Sequence, residues 1–219
     1  MKYGILGTGS VGDAIATKLI TQGHQVMMGS RTADNEKAVK WAAGKGANAS
    51  NGTFRQAAAF GEIIFNCTAG AASLSVLKTV GSENLNGKIL VDIANPIVRD
   101  QYNSLIPELC NTNSLGEEIQ RQYPEAKVVK TLNTMNSCIM VDPTILDGEH
   151  DIFICSDHED AKQEVMKILH SFGWQSPIDL GKLPGARYTE MLAILWAPVF
   201  AAVKDPVFNY KVVIKKSSK

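Results

Sequence analysis

Apolar residues along the 219-residue chain fall into short blocks separated by stretches of mixed polarity. Tyr3-Gly4-Ile5-Leu6 is the first block, within a predicted strand over Lys2–Leu6. Behind it, Val11–Gln22 places Ile15, Leu19 and Ile20 on one face of a helix, which Gly23 stops. A second strand is predicted over Gln25–Met28, running out into Gly29-Ser30-Arg31-Thr32. The alternation then repeats. A helix over Glu36–Ala43 is closed by Gly44 and Gly46, and a weak strand lies near Ala47–Ser50. Thr53 caps a short helix over Phe54–Phe60, and Glu62–Asn66 is an apolar strand. A helix from about Ala72 to Val80 precedes a strand over Ile89–Ile93. Largely apolar strands spaced by helices are those of a parallel sheet buried on both faces.

The second half is less uniform. Val98–Asn113, with Pro107 inside it, has no period and follows a strand's carboxyl end. Ser114-Leu115-Gly116-Glu117 reads as a capping box opening a helix to about Gln122. Strands are predicted over Lys127–Thr131, Asp151–Cys155 and Ile178–Leu180. Between the last two lies a helix over Glu159–Phe172, with Asp157 near its N-cap and Gly173 as its stop. An apolar helix over Ala186–Val203 and a strand-like Val212–Ile214 follow, and Lys215–Lys219 read as a solvated, disordered basic tail. The pattern predicts a doubly wound α/β Rossmann fold: a mainly parallel sheet of about eight strands with helices on both faces. Residues 1–185 form that domain. Residues 186–219 are a helix and tail that either pack on it or make a dimer contact, with a homodimer slightly favoured because Met191–Val203 is too apolar to leave bare.

Within the first strand-to-helix turn the glycines are spaced G-x-G-x-x-G, as Gly7, Gly9 and Gly12. Gly7 suits the tight turn, Gly9 lets backbone approach a pyrophosphate, and Gly12 lets the helix pack closely on the strand. The helix N-terminus then turns its free N–H groups toward the anion. An NAD-binding version of this turn carries a carboxylate at the end of the second strand. Here that place holds Ser30, Arg31 and Thr32, and the first acid, Asp34, comes only beyond the turn. Two hydroxyls and a guanidinium suit a 2′-phosphate, so NADP(H) is the expected nucleotide.

Charge narrows the remaining classes. Lys and Arg total 22, as do Asp and Glu, so no global field favours nucleic acid or an acidic membrane surface. Cys67, Cys110, Cys138 and Cys155 are scattered and suit a reducing cytoplasm. The run Met191–Val203, 13 residues broken by Pro198, is too short to span a bilayer, so no membrane association is expected. His24, His150, His158 and His170 show no metal-ligand spacing, and Cys138 reads as a buried small side chain rather than a reactive thiol. No catalytic side chain and no metal site is assigned.

Four stretches together resemble one family: Gly7-Thr8-Gly9-Ser10-Val11-Gly12, Gly29-Ser30-Arg31, Val91-Asp92-Ile93-Ala94-Asn95-Pro96 and Val128-Val129-Lys130-Thr131-Leu132-Asn133-Thr134. They are similar to the NADP-dependent reductases of the deazaflavin coenzyme F(420), with the reductase domain of the STEAP ferric reductases as a relative. The resemblance runs over nearly the whole chain, including Gly185-Ala186-Arg187-Tyr188. It implies hydride transfer between nicotinamide and a flavin or deazaflavin stacked on it. By position it places Thr8, Ser10 and Val11 at the phosphates and Ser30, Arg31 and Thr32 at the 2′-phosphate. Cys67, Thr68 and Ala69 then border the nicotinamide ribose, and Asn95, Asn133, Thr134 and Met135 border the ring. A flavin or F(420) is the implied co-substrate, a small-molecule hydride acceptor. Val98–Asn113 and the tail after Val203 match no family feature. Two other readings stand beside this one. One is an imine or carbonyl reductase of the pyrroline-carboxylate type, disfavoured because only Ala186–Lys219 follow Gly185. The other is a non-catalytic NADPH sensor acting through its last helix.

Overall fold

The computed structural model describes residues 1–215, so that all but the first residue of the expected basic tail lies outside the described residues. The first half alternates strictly: β1 (Lys2–Leu6), α1 (Ser10–Thr21), β2 (Gln25–Ser30), α2 (Glu36–Lys45), β3 (Ala49–Thr53), α3 (Phe54–Phe60), β4 (Ile63–Asn66), α4 (Gly70–Val80) and β5 (Ile89–Asp92). A hairpin of β6 (Ile97–Arg99) and β7 (Leu105–Pro107) follows. The chain continues through α5 (Leu115–Gln122), β8 (Lys127–Thr131), α6 (Ser137–Val141), β9 (Phe153–Cys155), α7 (Glu159–Phe172), β10 (Ile178–Asp179) and α8 (Ala186–Val203).

Eight strands form one sheet in the order β10-β9-β8-β5-β4-β1-β2-β3, and β6 pairs only with β7. Every neighbouring pair in the large sheet is parallel except β8 with β9. The expected Rossmann sheet is therefore the observed one. Strand alternation explains its two cores. Ile5, Phe65, Val91 and Val129 enter the layer shared with α1, α6 and α7 residues such as Ile15, Ile139 and Leu169. Their chain neighbours Leu6, Ile64, Leu90 and Val128 point the other way, against Ala57, Leu77 and Ile119. Chain order reverses between β1 and β4, and such a switch opens a crevice at the carboxyl ends of the strands.

Several boundaries differ from the sequence expectation. β2 continues through Gly29 and Ser30, and α2 runs through Gly44 to stop at Gly46, whose φ is +83°. β3 lies later than Ala47–Ser50, and α4 begins at Gly70. Part of the aperiodic 98–113 stretch is the β6–β7 hairpin, too short for its alternation to show. Asp157 does not cap α7: its carboxylate accepts from the Leu183 amide at 3.3 Å, and His158 holds the N-cap position. Val212–Ile214 joins no strand; the chain there is tied to Asp151 instead, through the Val212 amide.

The last helix departs most. Ala186, Thr189, Glu190 and Ala193 are its buried face, at helical spacing. Beyond them Leu195, Phe200 and Val203 are exposed. Among the described residues, one helical segment, Leu183–Val203, is long and apolar enough to cross a membrane by length and composition alone; it is longer than the apolar run Met191–Val203 because it also takes in residues 183–190. Its Glu190 and Arg187 are ion-paired to Lys130 and Glu117 of the same fold.

Candidate active site

The crevice begins at the β1–α1 turn. Gly7 has φ +125°, and a Cβ there would lie 2.6 Å from the Cys67 carbonyl oxygen, so the turn presses on the chain leaving β4. A Cβ on Gly12 would meet the Gly7 oxygen at 2.3 Å, which is why α1 can lie down on β1. Gly9 differs. It is exposed, a Cβ there would meet nothing within 4 Å, and no side chain caps the helix it opens. The first-turn N–H groups of α1 therefore face open space between Thr8 and Val11, the setting that suits a pyrophosphate.

Beside this turn, Leu6 pairs with Gly29, and the Gly7 amide donates to the Gly29 carbonyl at 3.0 Å, which brings Ser30–Thr32 alongside the glycines. Arg31 and Thr32 are exposed. Ser30 is buried, and its hydroxyl donates to the Thr32 carbonyl, so it shapes the turn. A cavity of about 520 Å³ separates Thr8, Gly9 and Ser10 from α2, whose Lys37, Lys40 and Trp41 line its far wall. The two lysines were missed in the sequence. Their signal is the three-residue spacing that puts both ammoniums on one helix face just after the Arg31 turn.

On the other side of the switch, Val11, Cys67, Thr68, Ala69 and Asn95 line a cavity of about 300 Å³. It shares Val11, Asn95 and Ile97 with a neighbouring one of about 270 Å³, walled by Asn133–Ser137, Ala193 and Trp196. Asn95 and Asn133 lock the two loops together. The Asn95 amide donates to the Asn133 carbonyl at 2.7 Å, and the Asn133 amide donates to Asn95 Oδ1 at 2.8 Å. Thr68 donates to Asn66 Oδ1 at 2.7 Å. Burial and the nearby Asp92 carboxylate push the Cys67 thiol up, so it stays protonated. Ile97, Ala193 and Trp196 come from β6 and α8, and no local pattern announced them. The histidines serve elsewhere: His24 packs edge-on against Tyr3, His150 and His170 bond backbone carbonyls, and His158 bonds Gln120. Cys138, half-buried, directs its thiol to Asn136 Oδ1 at 3.3 Å.

Directly beneath these loops lies a buried charge cluster. Lys130 Nζ is 2.7 Å from Asp92 Oδ2 and 2.8 Å from Glu190 Oε1, and all three side chains are at most 1% exposed. Burial alone would pull the lysine down, but the two carboxylates outweigh it and hold its ammonium above the ordinary value. Burial pushes Glu190 up. Its carboxylate accepts from the Leu115 and Gly116 amides at 2.8 and 3.2 Å, at the N-terminus of α5.

The family described as coenzyme F(420)-dependent NADP oxidoreductases matches residues 2–96. A solved structure of a candidate F(420)-dependent NADP reductase from Arthrobacter sp. FB24 is 42% identical, with a TM-score of 0.94 over 98% of this chain and 100% of that one. The chain belongs to the coenzyme F(420)-dependent NADP oxidoreductase family. It is therefore an NADP-dependent oxidoreductase. The F(420)-dependent NADP reductase of Methanocaldococcus jannaschii is 29% identical over 210 residues, covering 89% of this chain and 90% of that protein. Metalloreductase STEAP3 of Rattus norvegicus is 30% identical over 199 residues, 90% of this chain. The chain spans only 37% of that metalloreductase's length.

Proposed function

We propose that this protein passes hydride between NADP(H) and a flavin or deazaflavin of the coenzyme F(420) type. The observation that carries the reading is the continuity of the crevice. It runs from the uncapped helix end at Gly9 to a cavity walled by Asn95 and Asn133–Met135, at the carboxyl ends of neighbouring strands, and by Trp196 of α8. In this reading the N-terminus of α1, with Thr8, Ser10 and Val11, holds the pyrophosphate. Arg31 and Thr32, helped by Lys37 and Lys40, hold the 2′-phosphate, with Ser30 fixing their turn. Cys67, Thr68 and Ala69 border the ribose, and Asn95 with Asn133–Met135 presents the nicotinamide. Bound NADPH would supply the hydride and leave as NADP⁺, with the reduced acceptor ring taking its balancing proton from solvent, so this chain's own part is to set distance and orientation.

Residues 1–185 constitute the nucleotide-binding domain, and α8 beyond them completes the acceptor cavity and carries the subunit contact. The protein works in the cytoplasm as a homodimer joined through the exposed Leu195, Phe200 and Val203 face of α8. A dimeric mass in solution is expected, and a monomeric one contradicts the pairing. For the chemistry, purified protein is mixed with NADPH and each of F(420), FMN, FAD and riboflavin while NADPH absorbance is followed. Consumption with at least one of them is expected, and no consumption with any contradicts the proposal.

A further inference from the structure

We propose that the buried Lys130–Asp92–Glu190 cluster is the positioning device for the nicotinamide end of the crevice. The three residues stand on β8, on β5 and on α8. Each leads within a few residues to a wall of the same cavity: Lys130 to Asn133–Met135, Asp92 to Asn95, and Glu190 to Ala193 and Trp196. One ammonium fastens all three, because Lys130 Nζ meets Asp92 Oδ2, Glu190 Oε1 and the Ala94 carbonyl. The remaining wall is tied in through Asp92 Oδ1. It accepts from Asn66 Nδ2 at 2.8 Å, and Asn66 in turn holds the Thr68 hydroxyl. None of the three charged side chains lines the cavity, so they act through the loops they hold.

Burying three charges is costly, and well-packed apolar side chains of similar volume commonly serve stability as well or better. The loop they hold is also strained: Leu132, 1% exposed, has φ +63°, a region that a branched side chain avoids. It lies between Thr131, whose hydroxyl donates to the Phe153 carbonyl at 2.8 Å, and Asn133, locked to Asn95. Such a backbone persists only where its surroundings over-determine it, and the Lys130 cluster with the Asn95–Asn133 pair does so here. The 2′-phosphate end, at Arg31, Lys37 and Lys40, shares none of these hydrogen bonds.

The inference rests on the crevice being the NADP(H) site, and the test separates the two. Dissociation constants of NADPH and of 2′-phospho-ADP-ribose, which lacks nicotinamide, are measured for the wild type, Glu190→Gln and Glu190→Asp, together with bound-NADPH fluorescence. Glu190→Gln keeps the shape and removes one charge. It is expected to bind the fragment within about twofold of wild type, to bind NADPH at least fivefold more weakly, and to alter the fluorescence of bound NADPH. Glu190→Asp, which retains the carboxylate, should show the same selective loss at smaller size, and it carries the test if Glu190→Gln does not fold. Equal loss for both ligands, or no loss for either, overturns the inference. Failure of the wild type to bind either ligand overturns the crevice reading itself, and the inference with it.

Discussion

In the proposed NADP(H) site, Arg31 is the residue on which nucleotide choice turns. It is exposed at the end of β2, beside the glycine turn and without an acid in the place that a ribose 2′-hydroxyl would need. A charge-assisted hydrogen bond to a phosphate is worth roughly 1.5–3 kcal/mol, and about 1.4 kcal/mol is a decade in affinity. Arg31→Ala is therefore expected to weaken NADPH binding about tenfold or more and leave NADH binding unchanged, as titration of both nucleotides would show. Loss of both in proportion would point to a disturbed turn instead. The juxtaposition of the Gly7–Gly12 turn with Arg31 was legible in the sequence because it depends on neighbouring strands close in the chain. The Lys130 cluster was not: its members are 38 and 60 residues from the lysine along the chain, and only folding brings them together. A lysine at the end of Val128-Val129 and a glutamate in an apolar helix were the visible hints.

At the scale of elements, periodicity located nearly every helix and strand, and it failed where an element is short or its partner remote. The β6–β7 hairpin has three residues per strand, α6 has five, and the antiparallel entry of β9 depends on a connection that does not cross the sheet. The docking of α8 on α5 is likewise tertiary. It is fastened by Arg187, whose Nε donates to Glu117 Oε2 at 2.8 Å while its Nη2 pairs with the other carboxylate oxygen. That bidentate bond, with the Ser114 hydroxyl, holds Glu117 below the usual carboxylate range. A lowered carboxylate stabilises the fold above its unfolded value of about 4.3 and loses that contribution as pH falls through the folded value. Thermal melts across this range should show it. Glu117→Gln is expected to melt about 2–4 °C lower near neutrality, with the difference closing in acid, where both forms lack the charge. A gap that persists unchanged in acid would assign the loss to packing.

Over the whole molecule, the sheet and its switch point set where a nucleotide goes, and the additions after β5 set what faces it. Ile97 from the hairpin and Trp196 from α8 wall the cavity beside Asn95, and Trp196 is itself stacked on Phe200 and on Phe208 from the segment that returns after α8. In the proposed reaction, the acceptor thus meets parts of the chain far in sequence from the glycine turn at Gly7–Gly12. Direct transfer between two stacked rings is the central claim, and an isotope label tests it most directly. NADPH carrying deuterium on one face of its reacting carbon is oxidised by the protein with F(420), and the reduced deazaflavin is analysed by mass spectrometry. The label is expected to arrive on the deazaflavin carbon from one face of the nicotinamide only. Deuterium released to water, or an unlabelled product from both faces, would contradict direct hydride transfer at this site.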